Sequence, residues 1–154
     1  MLVPDRLLSL SDRVVLRLQE AGLGLPERPA GKIPDLPTDL TNVSSRDVGR
    51  LLAEFSAWLA YITPQAALAR VEVKSAKIGV QAAKKLKHPD DEVSDLERTT
   101  IEAEAWADVL DALERSTLRK KEAVSREITR LVGEAAPNLN PVNLSRSNQN
   151  GPRR

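Results

Sequence analysis

The stretch KSAKIGVQAAKKLKHPDDE, residues 74–92, decides how the chain is read. It carries five lysines and no acid as far as Lys87, then Pro89, then Asp90, Asp91 and Glu92 in succession. Proline breaks a helix because it lacks an N–H and crowds the preceding turn. Acids favour the positive N-terminal end of a new helix. Residues 86–92 therefore read as a turn between two helices, and the flanking sequence bears on what those helices are.

Upstream, Leu51, Phe55, Trp58, Ile62, Ala66, Ala69, Val73, Ala76, Val80 and Ala83 recur at steps of three and four. That is a heptad seam, with one irregular step beside Pro64, where a kink or a split is expected. Ser44 with Asp47 resembles a capping pair at its start, and the helix runs to about Leu86. Downstream, Val93, Leu96, Thr100, Ala103, Ala107, Leu110, Thr117, Val124, Ile128 and Leu131 follow near-heptad steps, flanked by Trp106 and Leu113. Asp90 or Asp91 can cap this second helix, with Ser94 and Glu97 as a later capping box. Gly133 offers a C-terminal stop. Two helices of about 40 residues joined by a short turn are antiparallel neighbours, each roughly 60 Å long at a rise of about 1.5 Å per residue.

The fold class is accordingly all-α: a long, antiparallel, coiled-coil-like helical hairpin over residues 44–133. It follows an N-terminal amphipathic helix (1–22) and a Pro/Gly-rich linker (23–43), and precedes a flexible, disordered tail (134–154). In the first helix Pro4 suits the opening turn, Leu7, Leu10, Val14 and Leu18 form its stripe, and Gly22 or Gly24 can cap it. In the linker, Leu36, Leu40 and Val43 are available to pack on a neighbour. A two-helix hairpin with an alanine- and threonine-rich seam buries little per residue, so self-association is expected. Phe55, Trp58, Ile62 and Trp106 are the candidate oligomer interface.

The chain has 154 residues, a net charge of +1 and no cysteine. Disulfides and thiolate metal sites are excluded. No apolar run reaches the roughly 18 residues of a membrane span, and no signal peptide is read, so a cytoplasmic protein without membrane contact is expected. The lone histidine, His88, lies in the turn. Glu102 and Glu104 cannot face the same way on a helix, and no phosphate-binding glycine loop occurs. No catalytic residue, metal or cofactor is assigned, and the chain is not read as an enzyme.

Charge is distributed in blocks. The lysines before the turn are followed by ten acids between Asp90 and Glu114 against a single arginine, Arg98. Arg119, Lys120, Lys121, Arg126 and Arg130 come next, among Glu122 and Glu127. Folding the hairpin sets lysines beside acids at the tip, where exposed pairs fix register and contribute little each. It also brings Arg46 and Arg50 beside Arg126 and Arg130 at the open end. Lysines that point away from the partner helix remain for an anionic ligand. Lys77, Lys84, Lys85 and Lys87 are the first candidates for phosphate contacts, and Arg119, Lys120 and Lys121 the second. In an oligomer such patches multiply into one track.

With this layout, residues 50–132 resemble the phage recombination-mediator family of the UvsY type. The resemblance is carried by EFSAWLAYI, by the basic KIGVQAAKKLK, and by the acidic, Trp-containing return DLERTTIEAEAWADVLDALERSTLRKKEAVSREI. When Leu86 is matched to the last leucine of that family's basic element, Lys85 falls on its arginine, Ala83 on its lysine, and Lys84 lies one position away. The resemblance implies an oligomeric, non-enzymatic protein that binds single-stranded DNA. It also implies a recombinase and a single-strand-binding protein as partners, and the host cytoplasm as the setting. The alternative is a structural or assembly protein, a helical-hairpin virion component or scaffold, in which the lysines only pair with acids. A transcription or adaptor module finds no recognition-helix signature in support.

Overall fold

The computed structural model of the chain describes residues 10–135. These residues form three helices, α1 (Leu10–Glu20), α2 (Ser45–Lys85) and α3 (Asp90–Ala135), with a 3₁₀ turn at Leu40–Asn42 and no strand. The expected all-α hairpin is present: α2 and α3 pack along each other, and α1 leans on α2. Pro4, Leu7 and the tail beyond Ala135 lie outside the described residues.

Each boundary has a local cause. Gly22, at φ 73°, closes α1, with Gly22 N–H donating to the Gln19 carbonyl at 2.9 Å and Leu23 N–H to Leu18 at 2.8 Å. This paired closure satisfies carbonyls that the helix end leaves free. At the start of α2 the Ser44 hydroxyl accepts from Asp47 N–H at 3.1 Å and donates to the Asp47 carboxylate at 2.6 Å, as the capping pair predicts. The end of α2 repeats the α1 closure with a different residue. His88 N–H donates to Ala83 at 3.1 Å and Lys87 N–H to Lys84 at 3.2 Å, with Lys87 at φ 54° in the position glycine normally fills.

Three sequence expectations are corrected. Pro64 does not split α2, which is one helix of 41 residues. Its missing N–H deprives only the carbonyl of Ala60, an exposed residue where water can donate instead. Second, α3 begins at Asp90, with Val93 N–H donating to the Pro89 carbonyl at 3.1 Å. Asp90 and Asp91 therefore lie in the first turn, and Ser94 is already inside the helix. Third, α3 passes Gly133, which does not adopt the left-handed conformation of a stop. Arg130 binds Glu127 at 2.5 Å and also binds Glu134, so its charge spans the last turn across Gly133.

The core has two parts. At the middle of the rod, Ala66 and Ala69 face Ala107 and Leu110, with Val73 beside them. Small side chains here let the helices approach closely. At the open end Val48, Phe55 and Val124 are fully buried, each 0 % exposed. Ile33, Leu36, Leu40 and Val43 pack on them from the proline-rich segment. That segment is thus a strap laid on the open half of the hairpin, not a free linker. Burying Leu36, Leu40 and Val43 with Ile33 is what a thin two-helix core lacks, since apolar area removed from water is the main stabilising term. Arg28 lies 5.9 Å above the Trp58 ring, and the Lys120 ammonium is 3.4 Å from the Pro34 carbonyl, so the strap also has polar attachments. Buried Thr100 and Thr117 donate to the Leu96 and Leu113 carbonyls at 2.8 Å each, which satisfies their hydroxyls within the seam.

Candidate nucleic-acid interface

The hairpin positions its charges through a heptad ladder. Arg70, Lys77 and Lys84 recur every seven residues on one flank of α2. Across from them Asp111, Glu104 and Glu97 recur every seven residues on α3, in reverse order. The rungs are Arg70–Asp111 at 2.5 Å, Lys77–Glu104 at 2.6 Å and Lys84–Glu97 at 2.6 Å. Glu114 completes the lowest rung, 3.3 Å from Arg70, and accepts from the Thr63 hydroxyl at 2.7 Å. The Asp111 hydrogen bond raises the Arg70 pKa above its ordinary value. Lys77 and Lys84 stay about half exposed, so these two rungs are surface pairs contributing about 0.2–1 kcal/mol each.

The ladder divides the lysines that the sequence nominates. Lys77 and Lys84 are neutralised by acids across the seam. Lys85 and Lys87 are exposed and have no carboxylate at ion-pair distance among the described residues, and the same holds for Lys74. Lys74, Ile78, Gln81 and Lys85 follow steps of four, three and four, which makes one outward stripe of α2. Ile78, 67 % exposed, confirms its direction. Lys87 follows in the turn, also exposed. Beside it the His88 Nδ1 is 2.8 Å from a Glu92 carboxylate oxygen.

The second group sits farther down α3. Arg119 and Lys121 have no acidic partner among the described residues, while Lys120 is turned to the Pro34 carbonyl. Arg115, Arg119, Lys120 and Ser116 line a groove with Leu36 of the strap. At the open end Arg50 is spent on Asp47 and Glu54 of its own helix and Arg130 on Glu127 and Glu134, so the four arginines expected there do not form one patch.

The residues nominated for an oligomer interface separate likewise. Phe55, Trp58 and Ile62 are buried in the chain's own core, so their apolar surface is already covered by α3 and the strap. Trp106 is 59 % exposed. Trp58 and Tyr61 meet edge to face at 6.2 Å, a packing pair rather than a stacking platform for bases. Arg70, the base of the ladder, was missed as a charged position although its spacing to Lys77 and Lys84 was visible. Val109, 56 % exposed between Trp106 and Leu113, lies off the heptad seam of α3 and carries no signal in that repeat.

Among the described residues no cluster of three His, Asp or Glu could hold a metal ion, and no helix is long and apolar enough to cross a membrane. No protein-family model matches the chain, and neither a curated relative nor a solved structure matches it.

Proposed function

We propose that the protein is a non-enzymatic, self-associating, single-stranded DNA-binding protein that holds phosphates with the outward lysines of the hairpin tip. One observation carries this reading: after the ladder has taken Lys77 and Lys84, the exposed Lys74, Lys85 and Lys87 remain without acidic partners among the described residues. Arg119, Lys120 and Lys121 supply a second set. A lysine stripe with no aromatic platform favours backbone contacts without base preference. The resemblance to recombination mediators adds the finer reading, in which the protein helps load a recombinase onto DNA coated by a single-strand-binding protein.

The test is a titration of fluorescent oligo-dT at low and moderate salt. Three phosphate contacts per subunit give a slope of log affinity on log salt of about −2. Lys74→Glu with Lys85→Glu should abolish binding, and Lys77→Gln should leave it within about twofold, because Lys77 is already paired. Salt-independent binding, or loss caused equally by Lys77→Gln, would refute the assignment.

A second reading, an assembly or scaffold protein with no nucleic-acid role, is favoured by the exposed apolar stripe of α3. In that case no oligo-dT binding is seen at any salt.

A further inference from the structure

On α3, Ala105, Trp106, Val109, Ala112 and Leu113 form one exposed stripe, bordered at Trp106 by a groove shared with α1 and α2 and at Ala112 by one shared with Leu36 of the strap. Trp106, Val109 and Leu113 are 59 %, 56 % and 37 % exposed. Apolar residues this close together on a soluble surface mark a contact face. The charges continuing the same stripe differ at its two ends. Toward the tip lie Asp91, Glu92, Asp95 and Glu102 against Arg98. Toward the open end lie Arg119, Lys120 and Arg126 against Glu127.

We propose that this face pairs with the same face of a second copy, antiparallel, about a two-fold axis through Val109. An antiparallel arrangement lays the net-acidic half of each stripe on the net-basic half of the other, with Glu92 meeting Arg126, although Arg98 falls against Lys120. A parallel one sets acid on acid, which is destabilising at the few-ångström separation of packed helices, well inside the roughly 8 Å screening length at physiological salt. Equal spacing about Val109 places Glu102 opposite the small, uncharged Ser116, with Arg119 one turn away. The Trp106 ring then meets Leu113 of the second copy, and Ala105 meets Ala112, which permits close approach. A two-fold contact of this kind closes on itself. The proposal rests on the self-association in the functional reading above and not on DNA binding. Pairing draws Arg119 and Lys120 out of the second set proposed above, toward the partner's acids, and so leaves phosphate contact to Lys74, Lys85, Lys87 and Lys121.

Because the chain contains no cysteine, single cysteines report the geometry without background. Under mild oxidation Val109→Cys should cross-link with itself. Glu102→Cys alone and Ser116→Cys alone should not, whereas a mixture of the two should. By light scattering the wild type should have an even number of copies. Val109→Glu, which sets two carboxylates in an apolar seam, should weaken pairing by about 100-fold or more with unchanged helicity. A monomeric wild type at tens of micromolar, an odd copy number, self-linking of Glu102→Cys, or retention of mass by Val109→Glu each overturns it. Oligo-dT binding measured on the same samples separates the two ideas. A monomer that still binds DNA through Lys85 refutes only the pairing, and a dimer that ignores DNA refutes only the DNA reading.

Discussion

Replacing Lys87 by glycine should make the protein more stable while weakening the DNA contact proposed for it. Lys87 occupies the left-handed region at φ 54°, where its N–H and that of His88 close the end of α2. A side chain with a Cβ pays about 1–2 kcal/mol there. Glycine avoids that cost but gives back about 0.5 kcal/mol through the greater freedom of the unfolded chain. The net gain is about 1 kcal/mol, or roughly 2–4 °C in Tm for a chain of this size. Lys87→Ala separates the backbone from the charge, since it keeps the strained Cβ and removes the ammonium. Thermal unfolding followed by circular dichroism should rank glycine above both lysine and alanine, with alanine near lysine. Oligo-dT affinity should fall equally in the two variants, by the share of one phosphate contact. If Lys87→Gly melts no higher than Lys87→Ala, the left-handed closure is not the conformation in solution.

The other expectations concern the strap, the ladder and acid. Phe55→Ala should cost about 3–5 kcal/mol, because the ring is fully buried beneath Leu36, Leu40 and Val43 and the strap cannot collapse into the space; urea unfolding measures it, and a loss under 1 kcal/mol would mean the strap is not docked. A double-mutant cycle on Lys77→Ala and Glu104→Ala should give a coupling below about 1 kcal/mol that shrinks in 1 M salt; a larger, salt-insensitive coupling would show a desolvated pair. Asp39 accepts from the Thr41 hydroxyl at 2.5 Å and the Thr41 N–H at 2.9 Å, which together hold its carboxyl below the ordinary aspartate value. Its contribution is therefore complete above the unfolded pKa and is lost as pH falls through the lower folded value. Asp39→Asn, which keeps an acceptor but cannot titrate, should flatten the acid limb of the stability curve, and an unchanged limb would assign it to other carboxylates.

The hairpin was legible because its signals reinforce one another. A break at Pro89, acids just after it and heptad seams on both sides admit one topology. The ends of helices were less legible, since they depend on competing local terms. Gly133 reads as a stop until Arg130 is seen to bridge its neighbours, and Lys87 takes a glycine's place with no sign in the sequence. The strap was half legible: proline content announced extended chain, but only the fold shows Ile33, Leu36, Leu40 and Val43 meeting Phe55. For the candidate site, composition identified the basic block without ranking its members. The division of Lys77 and Lys84 from Lys74, Lys85 and Lys87 depends on register, which becomes definite once Asp111, Glu104 and Glu97 are placed across the seam. Phe55, Trp58 and Ile62 show the same limit, because a seam residue looks alike whether its partner is the same chain or another.

The strap leaves the rod unevenly braced. Among the described residues, three layers of chain share the apolar load below the alanine-rich waist, whereas above it only the two helices meet, with Ala83 and Thr100 between them. Opening of the tip breaks few apolar contacts, and opening of the base breaks many. Amide hydrogens near the turn should therefore exchange well before those around Phe55 and Val124. The lysines proposed to hold DNA ride on the compliant end, while the braced end keeps the two helices joined.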